Sequence, residues 1–267
     1  MDITLSQAEF SHLKTLVHKL SGISLNPGKE ALAVGRLRRR MRELGMTEIK
    51  HYLSAVEADA SGNEATLLID ALSTNVTSFY RESAHFGLFS QFLAKRKAAG
   101  VKRIRVWCAA AATGEEPWTL AMLMRQSFPD SGIDLAILAT DISTRALATA
   151  RQGVYERTSV GRLPEELRRR WFTTEGQTCS IHDDLRPLIT FNRLNLVRPP
   201  YPMRGPFDVI FCRNVMIYFE NPERQAVVTE VKRLLAPGGL FCLGHAESLA
   251  GLDSSLVACS PAAYLKP

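Results

Sequence analysis

The sequence predicts an α/β fold, a doubly wound, mostly parallel, Rossmann-like sheet behind an N-terminal helical domain. Three observations carry this. Residues 1–72 show apolar spacing of helical period only. From residue 103 onward, short apolar runs alternate with amphipathic helical stretches, the order that builds a parallel sheet covered on both faces. Between 153 and 188 the alternation lapses into a polar, turn-rich stretch that reads as an insertion on the sheet rim. The expected division is 1–72 helical domain, 73–100 linker and helix, and 101–267 sheet domain with the insertion inside it.

Each element has a local reason. Ser6 followed by Glu9 is a capping box, Phe10, Leu13, Leu16, Val17 and Leu20 follow at helical spacing, and Gly22 closes the helix. A second helix, about 28–44, carries "GRLRRRMRELG" and ends near Gly45; "TEIKHYLSAVEAD" and "NEATLLIDALST" give two more. Residues 73–100 read as a polar loop entering an amphipathic helix. Then come strand "RIRVWCA", helix "EPWTLAMLMRQSF", strand "DLAILATDIS" and helix "TRALATARQG". Past the insertion follow strands "LITFNRLNL" and "FDVIFCRN", helix "PERQAVVTEVKRLLA", a "PGG" turn suited to an edge hairpin, strand "LFCLGHAES" and a last strand near "VACSPAAYLK".

Composition narrows the class. A chain of 267 residues with 46% apolar content can bury a full core. No apolar run is long enough to span a membrane, and the N-terminus lacks a signal-peptide pattern, so no membrane insertion and a cytoplasmic location are expected. Five cysteines, without metal spacing, read as reduced and structural, and no metal ligand set is read from the sequence. The net charge of +6 is concentrated in one place: Arg36, Arg38, Arg39, Arg40 and Arg42. Arg36, Arg39 and Arg40 share one helix face, and Arg38 and Arg42 an adjacent one. Such a run is either a solvated face or a docking surface for an acidic partner.

The chemistry starts at "RVWCAAAATGEEPWTL", residues 105–120. A strand, a turn of small residues and a helix form the nucleotide-binding corner of a doubly wound sheet, and ligands there sit beyond the carboxyl ends of the strands. The turn has one glycine and carries Glu115 and Glu116, which would repel a pyrophosphate and attract an ammonium or sulfonium. S-adenosylmethionine, a nucleoside with a cationic end and no phosphate, matches. Asp141, ending the second strand, is placed for ribose hydroxyls or for capping the next helix. Asn195 with Leu196, and Arg213 with Asn214, follow later strands at the same end.

The motifs "STNVTSFYRE", "VWCAAAATGEEPW", "LATDIS", "FDVIFCRNVMIYF" and "LLAPGGLFCLGHAES", in this order over about 170 residues, together resemble the CheR family of chemotaxis receptor methyltransferases. The resemblance implies a methyltransferase-type sheet, with a small antiparallel β-subdomain as the insertion. It implies transfer of a methyl group from S-adenosylmethionine to glutamates on the cytoplasmic helical bundle of chemoreceptors, leaving S-adenosylhomocysteine and a glutamyl methyl ester. At matching positions it implies that Asn75, Thr77 and Arg81 line the cleft. Ala109 and Glu115 would meet the methionine portion, Asp141 the ribose, and Asn195, Leu196, Arg213 and Asn214 the nucleoside. Arg81 and Tyr218 would be catalytic, and the arginine helix would dock the receptor. Ala112 stands where many members carry Ser. The short tip "TTEGQTC" leans toward independence from a receptor C-terminal pentapeptide, and a monomer is expected.

Other readings stay open from the residues alone. Arg81 suits a structural ion pair with Glu82, and Tyr218 a core aromatic. A nucleic-acid methyltransferase would want a basic groove with stacking aromatics, but the arginines are concentrated on one helix. "VRPPYP", 197–202, looks like an amino-methyltransferase signature, but Arg198 replaces its Asn or Asp, so it reads as a proline-stiffened loop. A cofactor-binding adaptor without turnover is the non-enzymatic alternative.

Overall fold

Capping sets where the first helix begins. The computed structural model describes residues 5–25, 28, 30–129 and 132–267. Helix α1 (Gln7–Ser21) starts at Ser6, whose Oγ accepts from the Glu9 N–H while the Glu9 carboxylate accepts from the Ser6 N–H at 2.9 Å. Gly22, at φ 70°, ends it in the left-handed conformation. A Cβ there would lie 2.4 Å from Val197, so this glycine also lets the helical part approach the sheet domain. Helices α2 (Glu30–Glu43), α3 (Ile49–Ala58) and α4 (Asn63–Leu72) follow. The expected second helix, about 28–44, includes residue 29, which like residues 26 and 27 lies outside the described residues. Apolar stripes of all four helices meet in one core, with Phe10, Leu13, Val17, Leu37, Met41, Tyr52, Leu53 and Leu68 at its centre.

Helix α5 (Ala84–Ala98) leads into the sheet. Strands β1 (Arg103–Ala109) and β2 (Asp134–Asp141) alternate with helices α6 (Glu115–Ser127) and α7 (Thr144–Gln152). After the insertion come β6 (Ile189–Arg193), β7 (Phe207–Phe211), α9 (Asn221–Leu234), β8 (Leu235–Cys242), β9 (Val257–Ser260) and β10 (Ala263–Leu265). The sheet runs β6-β2-β1-β7-β8-β10-β9; the first five strands are parallel, and β10 is antiparallel to both its neighbours. Alternation at period two sends Val106, Cys108, Val209 and Phe211 into one buried layer and Trp107, Ala109, Ile210 and Cys212 into the other. The chain leaves β1 toward β2 on one side and returns to β7 on the other. A crevice opens where the strand order reverses.

Two details depart from the sequence reading, and a third bears out what the family resemblance implied for the insertion. "PGG" does not open an edge hairpin: Pro237, Gly238 and Gly239 lie within the span of β8, whose register against β7 shifts there, and Gly238 and Gly239 exchange backbone hydrogen bonds with Lys266. β8 is therefore an interior strand. The expected last strand is two strands, β9 and β10, with β9 at the sheet edge. The insertion is not only a polar rim. Strands β3 (Val154–Glu156), β4 (Phe172–Glu175) and β5 (Thr178–Ile181), with helix α8 (Glu165–Trp171), form a separate antiparallel sheet in the order β3-β5-β4. Tyr155, Phe172, Cys179 and Ile181 from it join the main core, where Phe79 meets Tyr155 and Phe172 edge-on at 4.9 and 5.4 Å. Each of these strands is short, so single inward residues carried the signal and no apolar run did.

Candidate active site

The crevice at the carboxyl ends of β1, β2 and β7 is a cleft of about 1240 Å³ of open space. The helical part forms its other wall, through Ser21, Ile23, Leu25, Leu32, Ala33 and Arg36. Hydrogen bonds hold that wall in place. Asn195 Nδ2 donates to the Leu20 carbonyl at 2.8 Å, Arg198 to Lys19 at 2.8 Å, and Ser24 N–H to the Tyr218 carbonyl at 3.1 Å. On the far side Thr144 donates to Asp70 at 2.5 Å.

Asn75, Thr77, Arg81, Asp141, Asn195, Leu196, Arg213, Asn214 and Tyr218 all line this one cleft. Ala109 and Glu115 do not. Ala109 is fully buried in the core, and its neighbours Ala110 and Ala112 line the cleft instead. Both adopt positive φ, 80° and 47°, a conformation whose cost is kept low by a small side chain. Glu115 accepts from Thr113 Oγ1 at 2.7 Å, and its burial pushes its carboxyl up against that bond. Glu116 is the glutamate that faces the cleft. The single glycine of the turn serves packing. At Gly114, φ 99°, a Cβ would lie 2.8 Å from both Ala150 Cβ and Tyr155 Oη, so the bare backbone lets α6 pack against α7.

Asp141 does not cap α7; Ser143 does, accepting from the Ala146 N–H at 3.1 Å. That leaves the Asp141 carboxylate at the strand end, held by the N–H groups of Ala112 at 2.8 Å and Ser143 at 2.9 Å. Burial raises its pKa, against those backbone bonds that favour the ionised form.

Arg213 is buried between two acids: Nη1 reaches Glu116 at 2.6 Å and Nη2 reaches Glu82 at 2.8 Å. Glu82 also accepts from Asn214 Nδ2 and the His245 N–H, both at 3.1 Å. Burial raises the Glu82 pKa, but Arg213 and Asn214 outweigh it and bring the carboxyl down to about 2. The Glu82–Arg213 pair answers the open reading of Arg81. Arg81 donates to the Val76 carbonyl at 2.8 Å, and its own carbonyl accepts from Arg213.

The sequence reading missed Glu247. This 6%-exposed carboxylate accepts from the N–H groups of Asn214, Val215, Ile217 and Gly244 at 2.7–3.2 Å. It thereby shapes the loop that carries Asn214, at φ 56°, and Tyr218 into the cleft. "GHAES" offered a lone glutamate in a polar loop, with no spacing signal for that role.

The arginine helix divides. Arg36 donates to the Leu72 and Ser73 carbonyls, at 2.7 and 3.3 Å, and lines the cleft. Arg40 is paired with Glu64 at 2.5 Å and Glu43 at 3.2 Å, fastening α2 to α4. Arg39, 87% exposed, lies against Glu43, and Arg42 is exposed. The face expected to hold Arg36, Arg39 and Arg40 together is therefore largely spent inside the protein.

The donor set fits S-adenosylmethionine. Glu116 and Asp141 are carboxylates that a cationic end and hydroxyls would meet, Ile142, Leu194 and Leu196 are apolar surface suited to a base, and Ala110 and Ala112 leave room for a close approach of backbone. "VRPPYP" does not line the cleft: Tyr201 is buried, and its hydroxyl donates to the Leu196 carbonyl at 2.7 Å. Among the described residues no helix is long and apolar enough to cross a membrane.

Comparison with known proteins adds the lineage. Residues 75–264 match the family described as CheR methyltransferase, SAM binding domain, and residues 8–73 match CheR methyltransferase, all-alpha domain. The chemotaxis protein methyltransferase of Escherichia coli (strain K12) is 36% identical over 255 residues, covering 94% of this chain and 88% of that protein. Chemotaxis protein methyltransferase 2 of Pseudomonas aeruginosa is 35% identical over 247 residues, covering 91% and 87%. The chemotaxis protein methyltransferase of Borreliella burgdorferi is 30% identical over 274 residues, covering 100% and 96%.

Proposed function

Because the chain belongs to the CheR methyltransferase family, we propose that it methylates glutamate side chains on the cytoplasmic helical bundle of chemoreceptors, giving glutamyl methyl esters. The protein is an S-adenosylmethionine-dependent methyltransferase of chemotaxis. One observation carries the choice of acceptor: the cleft joins an acidic end, Glu116 and Asp141, to Arg81, a guanidinium that suits a carboxylate.

When bound, S-adenosylmethionine supplies a methyl group activated by its positive sulfur. Glu116 would hold the cationic end, Asp141 the ribose, and Leu196 with Ile142 the base. A glutamate acceptor is already ionised at neutral pH, so no side chain has to remove a proton. The work left to the protein is orientation, which supplies up to about 7–11 kcal/mol in favourable models. Arg81 would hold the acceptor carboxylate in a fork, and Tyr218, which lines the same cleft, would approach the reacting methyl. The helical wall of Leu25, Leu32 and Ala33 gives the opposite side of the cleft an apolar surface.

Docking falls to the exposed Arg39 and Arg42, while Arg36 and Arg40 position the helix that carries them. The β4–β5 hairpin, linked only by Gly176 and Gln177, supports binding independent of a receptor C-terminal pentapeptide. We take 1–72, 73–100 and 101–267, with the insertion at 153–188, as the functional division of a cytoplasmic monomer. The test is methyl transfer from labelled S-adenosylmethionine to chemoreceptor-containing membranes, followed by alkali and collection of methanol. Base-labile label on the receptor, lost in Arg81→Ala, is expected. Base-stable label would sink the carboxylate reading, and micromolar binding of an aromatic-acidic C-terminal receptor pentapeptide would refute the independence.

A further inference from the structure

Two acceptors face each other at the start of α5. His85 is 2% exposed, and its Nε2 lies 3.3 Å from the Pro261 carbonyl. A carbonyl only accepts, so Nε2 carries the proton and Nδ1 presents a lone pair. That Nδ1 is buried without a hydrogen-bond partner among the described residues, and it lies 3.7 Å from Glu82 Oε2. An imidazole lone pair opposite a carboxylate oxygen is a pair of electron donors, and that oxygen also accepts from Arg213 Nη2 at 2.8 Å and from the His245 N–H at 3.1 Å. A third donor stands beside them. His245, on the exposed loop after β8, packs edge-on against the His85 ring at 4.9 Å, and the ligand atoms of all three residues lie within 4.8 Å of one another.

We propose that Glu82, His85 and His245 bind a Zn²⁺ ion, with the fourth position open to solvent on the His245 side. Two imidazoles and one carboxylate are a zinc donor set, whereas Ca²⁺ and Mg²⁺ prefer oxygen alone. Ligand bonds of about 2.0–2.2 Å in a tetrahedron set neighbouring donors roughly 3.3–3.6 Å apart. The His85–Glu82 pair already stands near that, and the exposed His245 ring has room to close the rest. The Pro261 carbonyl is the outer partner that fixes the tautomer of a metal-bound histidine. Charge also permits a cation. Arg213 beside Glu82 is shared with Glu116, so the two carboxylates leave one negative charge over. The ion would tie Glu82, which follows Arg81, to the loop that carries Glu247, and so clamp two segments that shape the cleft.

The test uses the full chain, stripped of metal and titrated with ZnCl₂ by calorimetry and with Co²⁺ as a spectroscopic probe. One equivalent of Zn²⁺ and a tetrahedral Co²⁺ spectrum are expected, with thermal stability rising as Zn²⁺ is added. His245→Ala, which removes an exposed side chain and spares the core, should weaken Zn²⁺ binding by more than about tenfold and abolish the Co²⁺ spectrum. His18→Ala is the control, because His18 stands 3.9 and 3.7 Å from Glu220 and Glu223 in a second, more open cluster. It should leave both signals intact. An absence of binding, binding undiminished in His245→Ala, or loss confined to His18→Ala would each overturn the proposal.

Discussion

Adjacent glutamates with the same side chain play different parts because the helix turns by about 100° between them. Glu115 folds back onto Thr113, while Glu116 faces the cleft and holds Arg213. Glu116→Gln should therefore lower the affinity for S-adenosylhomocysteine more than about tenfold, equivalent to about 1.4 kcal/mol. Glu115→Gln should leave it within about twofold. Calorimetry on the two variants checks this, and the reverse order would put Glu115 in the site. Glu247 gives a second prediction. Hydrogen bonds to a charged group contribute about 1.5–3 kcal/mol, and a glutamine would turn an amide N–H toward N–H donors. Glu247→Gln should lose at least that much stability in urea unfolding, and should reduce kcat because Asn214 and Tyr218 lose their support. Full activity in the variant would show that the loop holds its shape without the carboxylate.

Among elements, α2 and α4 are fastened by Arg40 and Glu64 over the core that holds Leu37. The hydrogen bond from Arg40, opposed by burial, lowers the Glu64 pKa in the fold. A carboxyl depressed by folding stabilises the protein above its unfolded pKa of about 4.5 and loses that contribution as pH falls through the folded value. Wild-type stability should thus decline more steeply below pH about 4.5 than that of Glu64→Gln, measured by urea unfolding across that range. Parallel slopes would mean that the pair is solvated in solution. In the same core, Leu37→Ala should cost about 2–5 kcal/mol, because Leu37 is fully buried.

For the whole molecule, the helical part is a wall of the cleft. Asp70 anchors it to α7 through Thr144 and the Arg145 N–H. Asp70→Ala should raise the rate of limited proteolysis near residues 73–83 and lower S-adenosylhomocysteine affinity together. Faster proteolysis with unchanged affinity would mean that the sheet domain binds the nucleoside alone. Local patterns made the sheet, the capping box and most of the cleft residues legible, because strand ends in a doubly wound sheet converge by topology. Glu247, the Glu82–Arg213–Glu116 chain and the Glu82–His85–His245 cluster were not legible. Each joins segments far apart in the chain, and no spacing relates them.

The sequence by itself determined the fold class, the family and the end of the sheet where chemistry sits, since these follow from hydrophobic period, turn residues and ordered motifs. Tertiary structure alone decided which of two adjacent glutamates faces the cleft, which arginines are spent inside the protein and which glycine serves packing. Those choices depend on side-chain direction and on contacts between distant segments, and one-dimensional spacing carries neither.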